Sequence, residues 1–455
     1  MKTVRTVTLV TILALSAAGC GENAVNPSRG RLALGAAGKG AGQPNASGGD
    51  CGDLPTAPDS VRVDLGTPVF SNTTNVTNPL FPIGALERVL LLGNVDGQPL
   101  RVETTLLPGT QIIEIDGQKV EALVSQYVAW IDRRIEEVAL DWYVQDDDGA
   151  AWYLGEDVFN YEEGVIADLN GTWLADRDGP AAMIMPADPQ VGDVWRPENI
   201  CGFVFEEVTA VSTGITVQGP RGPVAGALIV RELHMDGSFE EKTFAPGYGE
   251  FSTGSGSNLE AVALAVPTDA LPGPVPTEIE SLSDGAEEIF ELAKTGRWRE
   301  TAAAAEEMND AWDAYRATGV PPMLDAQMSD ALEALHAAIA ARDKAETRQA
   351  SVDVALASLD FELRHEPREE IDLDLIEIWS RQILVDTRAH DQGAVLGDLA
   401  TIEWIRDRLA PAVAGHVGAA LTALRAAADA NDMAGAEEGA ARLRDALAGR
   451  TPRDS

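Results

Sequence analysis

Between residues 55 and 266 apolar and polar positions alternate in short runs, the period-2 pattern of half-buried strands. The runs are punctuated by Asp96-Gly97, Asp116-Gly117, Asp148-Gly149, Asp178-Gly179 and Asp236-Gly237. Asp-Gly tolerates the positive φ angles of tight hairpin turns, so the punctuation is that of antiparallel strands. Residues 140–145 and 150–154 form one convincing pair across such a turn, and 224–234 with 238–244 form another. The pattern predicts an antiparallel, mainly β domain: a curved sheet, a β sandwich or a partly closed barrel.

Prolines at 267, 272, 274 and 276 end that regime and mark a linker over 267–276. From 277 to 450 the chain turns to Ala, Glu, Leu and Arg at helical spacing. A weak repeat runs through this half. Gly296, Asp343, Asp391 and Asp432 each follow one Ala-rich helical run and precede another, at intervals of 47, 48 and 41 residues. Each reads as a tight turn, so the repeating unit is a helical hairpin and four of them make an all-α bundle or short array. Pro321, Pro322, Pro367 and Pro411 fall between the units, where helix boundaries belong. The fold class is multidomain, β then α, read as two separately folded bodies with a tail at 451–455.

The amino end carries a basic start (Lys2, Arg5), a short apolar run and Ala17-Ala18-Gly19-Cys20. The run is too short to span a bilayer comfortably, and its flanks fit a cleavable export signal over 1–19. These residues resemble the lipobox of bacterial lipoproteins, with Ala17 where that group usually has Leu. The resemblance implies cleavage before Cys20 and lipidation there. Residues 20–54, the lipidated cysteine and a Gly/Ala/Ser-rich stretch, then read as a tether of roughly 30 Å root-mean-square reach. With export, Cys51 and Cys201 are the remaining cysteines and a candidate disulfide. Closing so long a loop stabilises by roughly 4–5 kcal/mol in the chain-entropy account.

Charge narrows the partners. The formal net charge is −39, and loss of Lys2 and Arg5 with the leader takes it to −41. Such a field opposes nucleic acid and anionic headgroups. The expected partners are therefore the membrane, through the lipid alone, and a protein or cell-wall component, with no nucleic acid. The expected location is the bacterial cell envelope, facing the periplasm or the cell exterior.

Asn78-Pro79-Leu80-Phe81-Pro82, the block from Asp141 to Asp157 with its two Trp-Tyr pairs and Gly155-Glu156-Asp157, Met185-Pro186-Ala187 with Gly192-Asp193, and Phe244-Ala245-Pro246-Gly247-Tyr248-Gly249 carry a second resemblance. Over most of 78–251 the chain resembles an uncharacterised group of secreted bacterial β-rich lipoproteins. That implies a compact β domain and an envelope location, and carries no activity. The helical half faintly resembles Ala-rich bundle segments of other exported proteins, some associated with iron uptake, but lacks their His-x-x-Glu motif.

Candidate chemistry is sparse. Asp146, Asp148, Glu156 and Asp157 cluster at one hairpin, and converging carboxylates are what calcium requires, although the spacing is not that of an EF-hand. Solvated turn acids are the plainer reading. Trp142, Tyr143, Trp152 and Tyr153 suit either a β core or an aromatic platform, with core favoured. Glu333-Ala334-Leu335-His336 and Glu362-Leu363-Arg364-His365 spell Glu-x-x-His twice, the element of a di-iron site. A turn at Asp343 offsets the two histidines by about 22 Å along the helices, which forbids sharing; only a bend near Ser351 would bring them level. His234 falls in a strand without an evident partner, and no nucleophile elbow, phosphate loop or dinucleotide fingerprint occurs. The sequence thus points to a non-enzymatic, lipid-anchored envelope protein with binding surfaces and no cofactor. The alternatives are a calcium or small-ligand binder and, behind it, a glycan hydrolase.

Overall fold

The computed structural model describes residues 51–448; the leader, Cys20 and the tether as far as residue 50 lie outside the described residues, as does everything from 449 onward. Fourteen strands build the front half. They are β1 (Arg88–Val95), β2 (Gln98–Ile115), β3 (Gln118–Ile131), β4 (Arg134–Gln145), β5 (Ala151–Glu162), β6 (Val165–Asp168) and β7 (Trp173–Leu174). There follow β8 (Ala182–Met185), β9 (Val194–Ile200), β10 (Val204–Gly219), β11 (Gly222–His234), β12 (Phe239–Ala245), β13 (Gly249–Ser255) and β14 (Asn258–Val266).

All belong to one antiparallel sheet with the order β6-β5-β4-β3-β2-β1-β14-β13-β12-β11-β10-β9. The first six strands meander outward from β1, the last six return inward, and β14 docks on β1 with Arg88 opposite Val266. The sheet is not closed by hydrogen bonds, so a curled single sheet replaces the two layers of a sandwich. Its ends nevertheless meet, because β8 pairs with β5 and packs against β9.

Turn chemistry sets this register. Asp96-Gly97 and Asp116-Gly117 have positive φ at both residues, as the favoured hairpin turn requires. Asp178-Gly179 instead closes a loop after β7, where the Asp178 carboxylate accepts from Leu174 N at 2.9 Å. The Asp132-Arg133 turn between β3 and β4 adopts the same double positive φ without glycine. A disulfide joins Cys51 to Cys201, with Cα atoms 5.3 Å apart.

Eight helices follow among the described residues: α1 (Thr277–Thr295), α2 (Trp298–Arg316), α3 (Pro322–Ala341), α4 (Lys344–Glu362), α5 (Arg368–Ala389), α6 (Gln392–Arg406), α7 (Pro411–Asp429) and α8 (Met433–Ala448). They pair as four hairpins, and the turns share one local chemistry. Gly296, Arg342, His390 and Asn431 take the left-handed conformation that ends the first helix. Asp343, Asp391 and Asp432 then cap the next, accepting from Ala345 N, Ala394 N and Gly435 N. Each such cap contributes about 1 kcal/mol. No helix among the described residues is long and apolar enough to cross a membrane.

The halves are not separate bodies joined only by a linker. Trp130 of β3 stacks on Trp379 of α5, and Leu90, Val128, Val138 and Leu264 share one apolar core with the helices. A buried ionic cluster lies at the same seam. Arg101 chelates Asp360 at 2.7–2.8 Å and also donates to Glu103. Arg408 reaches Glu103 at 2.7 Å, and Arg88 pairs with Asp372. Although burial opposes its charge, the three arginines hold the Glu103 carboxyl well below the ordinary carboxylate range.

Candidate cation site in the curled sheet

Side chains two apart on a strand share a face, so the register shows which residues look into the curl. On β4 these are Glu137, Asp141 and Tyr143; across them lie Ser125 and Tyr127 of β3, and Tyr153 and Glu156 of β5. On the returning arm Glu198 of β9 pairs with Glu206 of β10, and Glu206 with His234 of β11. Glu232 of β11 stands opposite Glu240 of β12, Lys242 opposite Thr253, and Thr253 opposite Glu260 of β14.

The two arms close on one another through these side chains. Glu156 and Glu198, near opposite ends of the strand order, are close enough that each perturbs the other's carboxyl. Tyr153 donates to Asp141 at 2.8 Å, and Lys242 Nζ lies 2.7 Å from Glu232 Oε2. Other oxygens are left over. Both oxygens of Glu156, Glu198 Oε1, Glu260 Oε2 and Glu137 Oε1 are sealed from solvent and, among the described residues, have no hydrogen-bond partner in good geometry.

Counting Glu240 and Glu250, nine acids here face Lys242 and His234. Buried carboxylates at that ratio cannot all be charged. Desolvation accordingly pushes Glu137 up to about 8, helped by the Asp141 charge, and Asp141 to about 7 against the Tyr153 hydrogen bond. Burial raises Glu232 to about 8, and Glu156 and Glu260 go well above the usual carboxyl range.

One corner of this interior has metal-binding geometry. Glu206, Glu232 and His234 each offer a ligand atom, all within 4.8 Å of one another. His234 Nδ1 lies 3.6 Å from Glu206 and its Nε2 3.7 Å from Glu240. Burial alone would lower His234, but Glu206 and Glu240 outweigh it and raise it to about 10. Its proton therefore balances local negative charge that a dication would balance more fully. Glu198, in register beside Glu206 and 1% exposed, adds a sealed carboxylate oxygen on the same face.

The four acids read from the sequence as a calcium site are not brought together. Asp146 is consumed by its own turn, accepting from Asp148 N, Ala150 N and Trp152 Nε1 at 2.8–3.0 Å. Asp148 is exposed at the tip, Glu156 faces the interior, and Asp157, the next residue along the strand, points the other way. The aromatic pairs are core: Tyr143 stacks on Tyr153 at 4.8 Å, and Trp152 meets the edge of Phe70. Among the described residues His336 and His365 belong to no metal-binding group. The residues the sequence reading missed did leave a signal. Glu232-Leu233-His234 in a strand places two ligands on one face, but Glu206 joins them only through the pairing of β10 with β11.

Neither protein-family models nor curated proteins give a match to this chain.

Proposed function

We propose that the chain is a non-enzymatic, lipid-anchored protein of the bacterial cell envelope whose curled sheet binds one divalent transition-metal ion through Glu206, Glu232 and His234. The observation that carries this reading is the convergence of those three ligand atoms inside a β interior already overloaded with carboxyls. One imidazole among carboxylates favours zinc, manganese or ferrous iron over calcium, which prefers an all-oxygen shell. The envelope part rests on the leader pattern ending at Cys20 and on the Cys51–Cys201 disulfide, a bond typical of oxidising compartments. The acidic surface suits a body held off anionic headgroups by a spacer and presented to a protein or cell-wall partner.

Calorimetry on the purified full chain tests the metal claim. The expected result is one Zn²⁺ or Mn²⁺ per chain, with proton release as His234 and its neighbours give up protons, and loss of binding in Glu206→Gln with His234→Ala. Heat with calcium alone, or equal binding by that double variant, would reject the reading. Mass spectrometry of the amino-terminal peptide checks the anchor; an unmodified Cys20 in mature protein from the native bacterium would remove it.

A further inference from the structure

A cavity of about 450 Å³ opens at the seam between the halves, away from the acidic interior. Arg221 reaches it from the turn joining β10 to β11, Leu271 and Pro276 from the linker, Tyr315 from the end of α2, and Arg364 and His365 from the residues just after α4. We infer that this cavity is a binding site for a small organic oxyanion, a carboxylate or phosphate ester carrying an apolar group, and that its occupant bridges the sheet to the helices.

The argument starts from charge. In a chain of net charge −39, arginines normally find acids, as Arg88, Arg101 and Arg408 do at the ionic cluster. Among the described residues, Arg221 and Arg364 form no salt bridge. Arg364 is 5% exposed, and its Nε donates to the backbone oxygen of Asp269 at 3.3 Å. Its guanidinium lies against the Tyr315 hydroxyl. Arg221 Nη1 reaches the backbone oxygen of Ala270 at 3.5 Å. Both arginines are thus hydrogen-bonded to neutral carbonyls at the cavity wall; the buried Asp269 carboxyl feels both charges, but its oxygens accept from the Tyr248 hydroxyl and Ala265 N, and neither guanidinium pairs directly with a carboxylate.

His365 adds a polar position. Its Nδ1 donates to the backbone oxygen of Gly273 at 3.2 Å, which fixes the ring, while Nε2 is buried without a partner among the described residues and becomes a donor to an anion when the ring takes up a second proton. Two guanidiniums, a phenol and a fixed imidazole match the planar, multidentate demands of a carboxylate or phosphate. Leu271 and Pro276 give the apolar wall that an organic substituent needs. The one acid on the lining, Glu278, takes the Thr277 hydroxyl at 3.4 Å and lies on the α1 side. The volume falls in the range of small-molecule sites.

Titrations of the full chain with benzoate and with phenyl phosphate, followed by tryptophan fluorescence or calorimetry, test this, with neutral benzamide as the isosteric control. The expected result is saturable binding of at least one anion in the millimolar range or below, with benzamide at least 10-fold weaker. Whichever anion binds more tightly identifies the headgroup. Arg221→Ala, at an exposed turn where folding is not at stake, is expected to weaken binding about 10-fold, and His365→Gln to weaken it measurably. Absence of saturation by either anion, benzamide binding as tightly, or unchanged affinity in Arg221→Ala overturns the proposal. None of these outcomes bears on the metal site.

Discussion

At the seam between sheet and helices, Arg88, Arg101, Arg368 and Arg408 meet Glu103, Asp360 and Asp372, four cations on three acids. Inside the curled sheet, nine acids meet one lysine and one histidine. Both clusters are largely buried, and both are set on strands of the same sheet. Balance separates them. In the first, each charge is answered within the protein, Glu103 stays ionised, and the cluster fixes how the helices dock. In the second, desolvation exceeds what the available cations return, so protons remain on the carboxyls. A buried charge set that closes on itself is architecture; one that remains short of positive charge has affinity left for a cation.

The comparison breaks first at Arg408. Arg408→Ala leaves Glu103 and Asp372 buried with fewer partners, and equilibrium urea unfolding is expected to show a loss of about 3–5 kcal/mol. A loss below about 1 kcal/mol would mean that the seam cluster does not hold the halves together.

The next test is pH. Glu137, whose folded-state value is about 8 because of burial, keeps its proton where the unfolded chain has lost it. Between the unfolded value near 4.5 and about 8 the folded state therefore binds more protons, and stability falls as pH rises. The slope approaches about 1.4 kcal/mol per pH unit for one such group, with levelling above pH 8. Glu103 has the opposite sign: its depressed value gives stability that is present above about 4.5 and lost as pH falls further. Thermal unfolding of metal-free protein should thus be most stable near pH 5. A melting temperature that climbs steadily from pH 5 to 8 would contradict the account of the interior.

The smallest effect sharpens the contrast. Glu156→Gln replaces a carboxyl that already carries its proton with an isosteric amide, so the expected change in stability at pH 6 is under about 1 kcal/mol. Glu103→Gln at the seam should cost several times more, since it removes the charge that three arginines share. Equal costs at the two positions would erase the distinction drawn between the clusters.

Much of the architecture was legible because it is written in local chemistry. Asp96-Gly97 and Asp116-Gly117 announce hairpins, and Gly296, Asp343, Asp391 and Asp432 mark the helix pairs, because positive φ and amino-terminal capping each favour a few residue types. The Asp132-Arg133 turn was hidden because it reaches the same geometry without glycine. The candidate site was illegible for a different reason. Glu156 and Glu198 meet only because β5 and β9 are drawn together by the curl, and Glu206 reaches His234 only across a strand pair. Acids that do cluster in sequence, Asp146 and Asp148, serve the turn or face solvent. With 73 acids in the chain, proximity in sequence carries little information about convergence in space.

The most direct test of the cation site is X-ray absorption at the zinc edge on full-length protein loaded with one equivalent of Zn²⁺. The account predicts one bound ion with a first shell of nitrogen and oxygen at about 2.0–2.2 Å, imidazole scattering included, and loss of that imidazole signature in His234→Ala. A spectrum of hydrated zinc, or an imidazole signature unchanged in that variant, would contradict it.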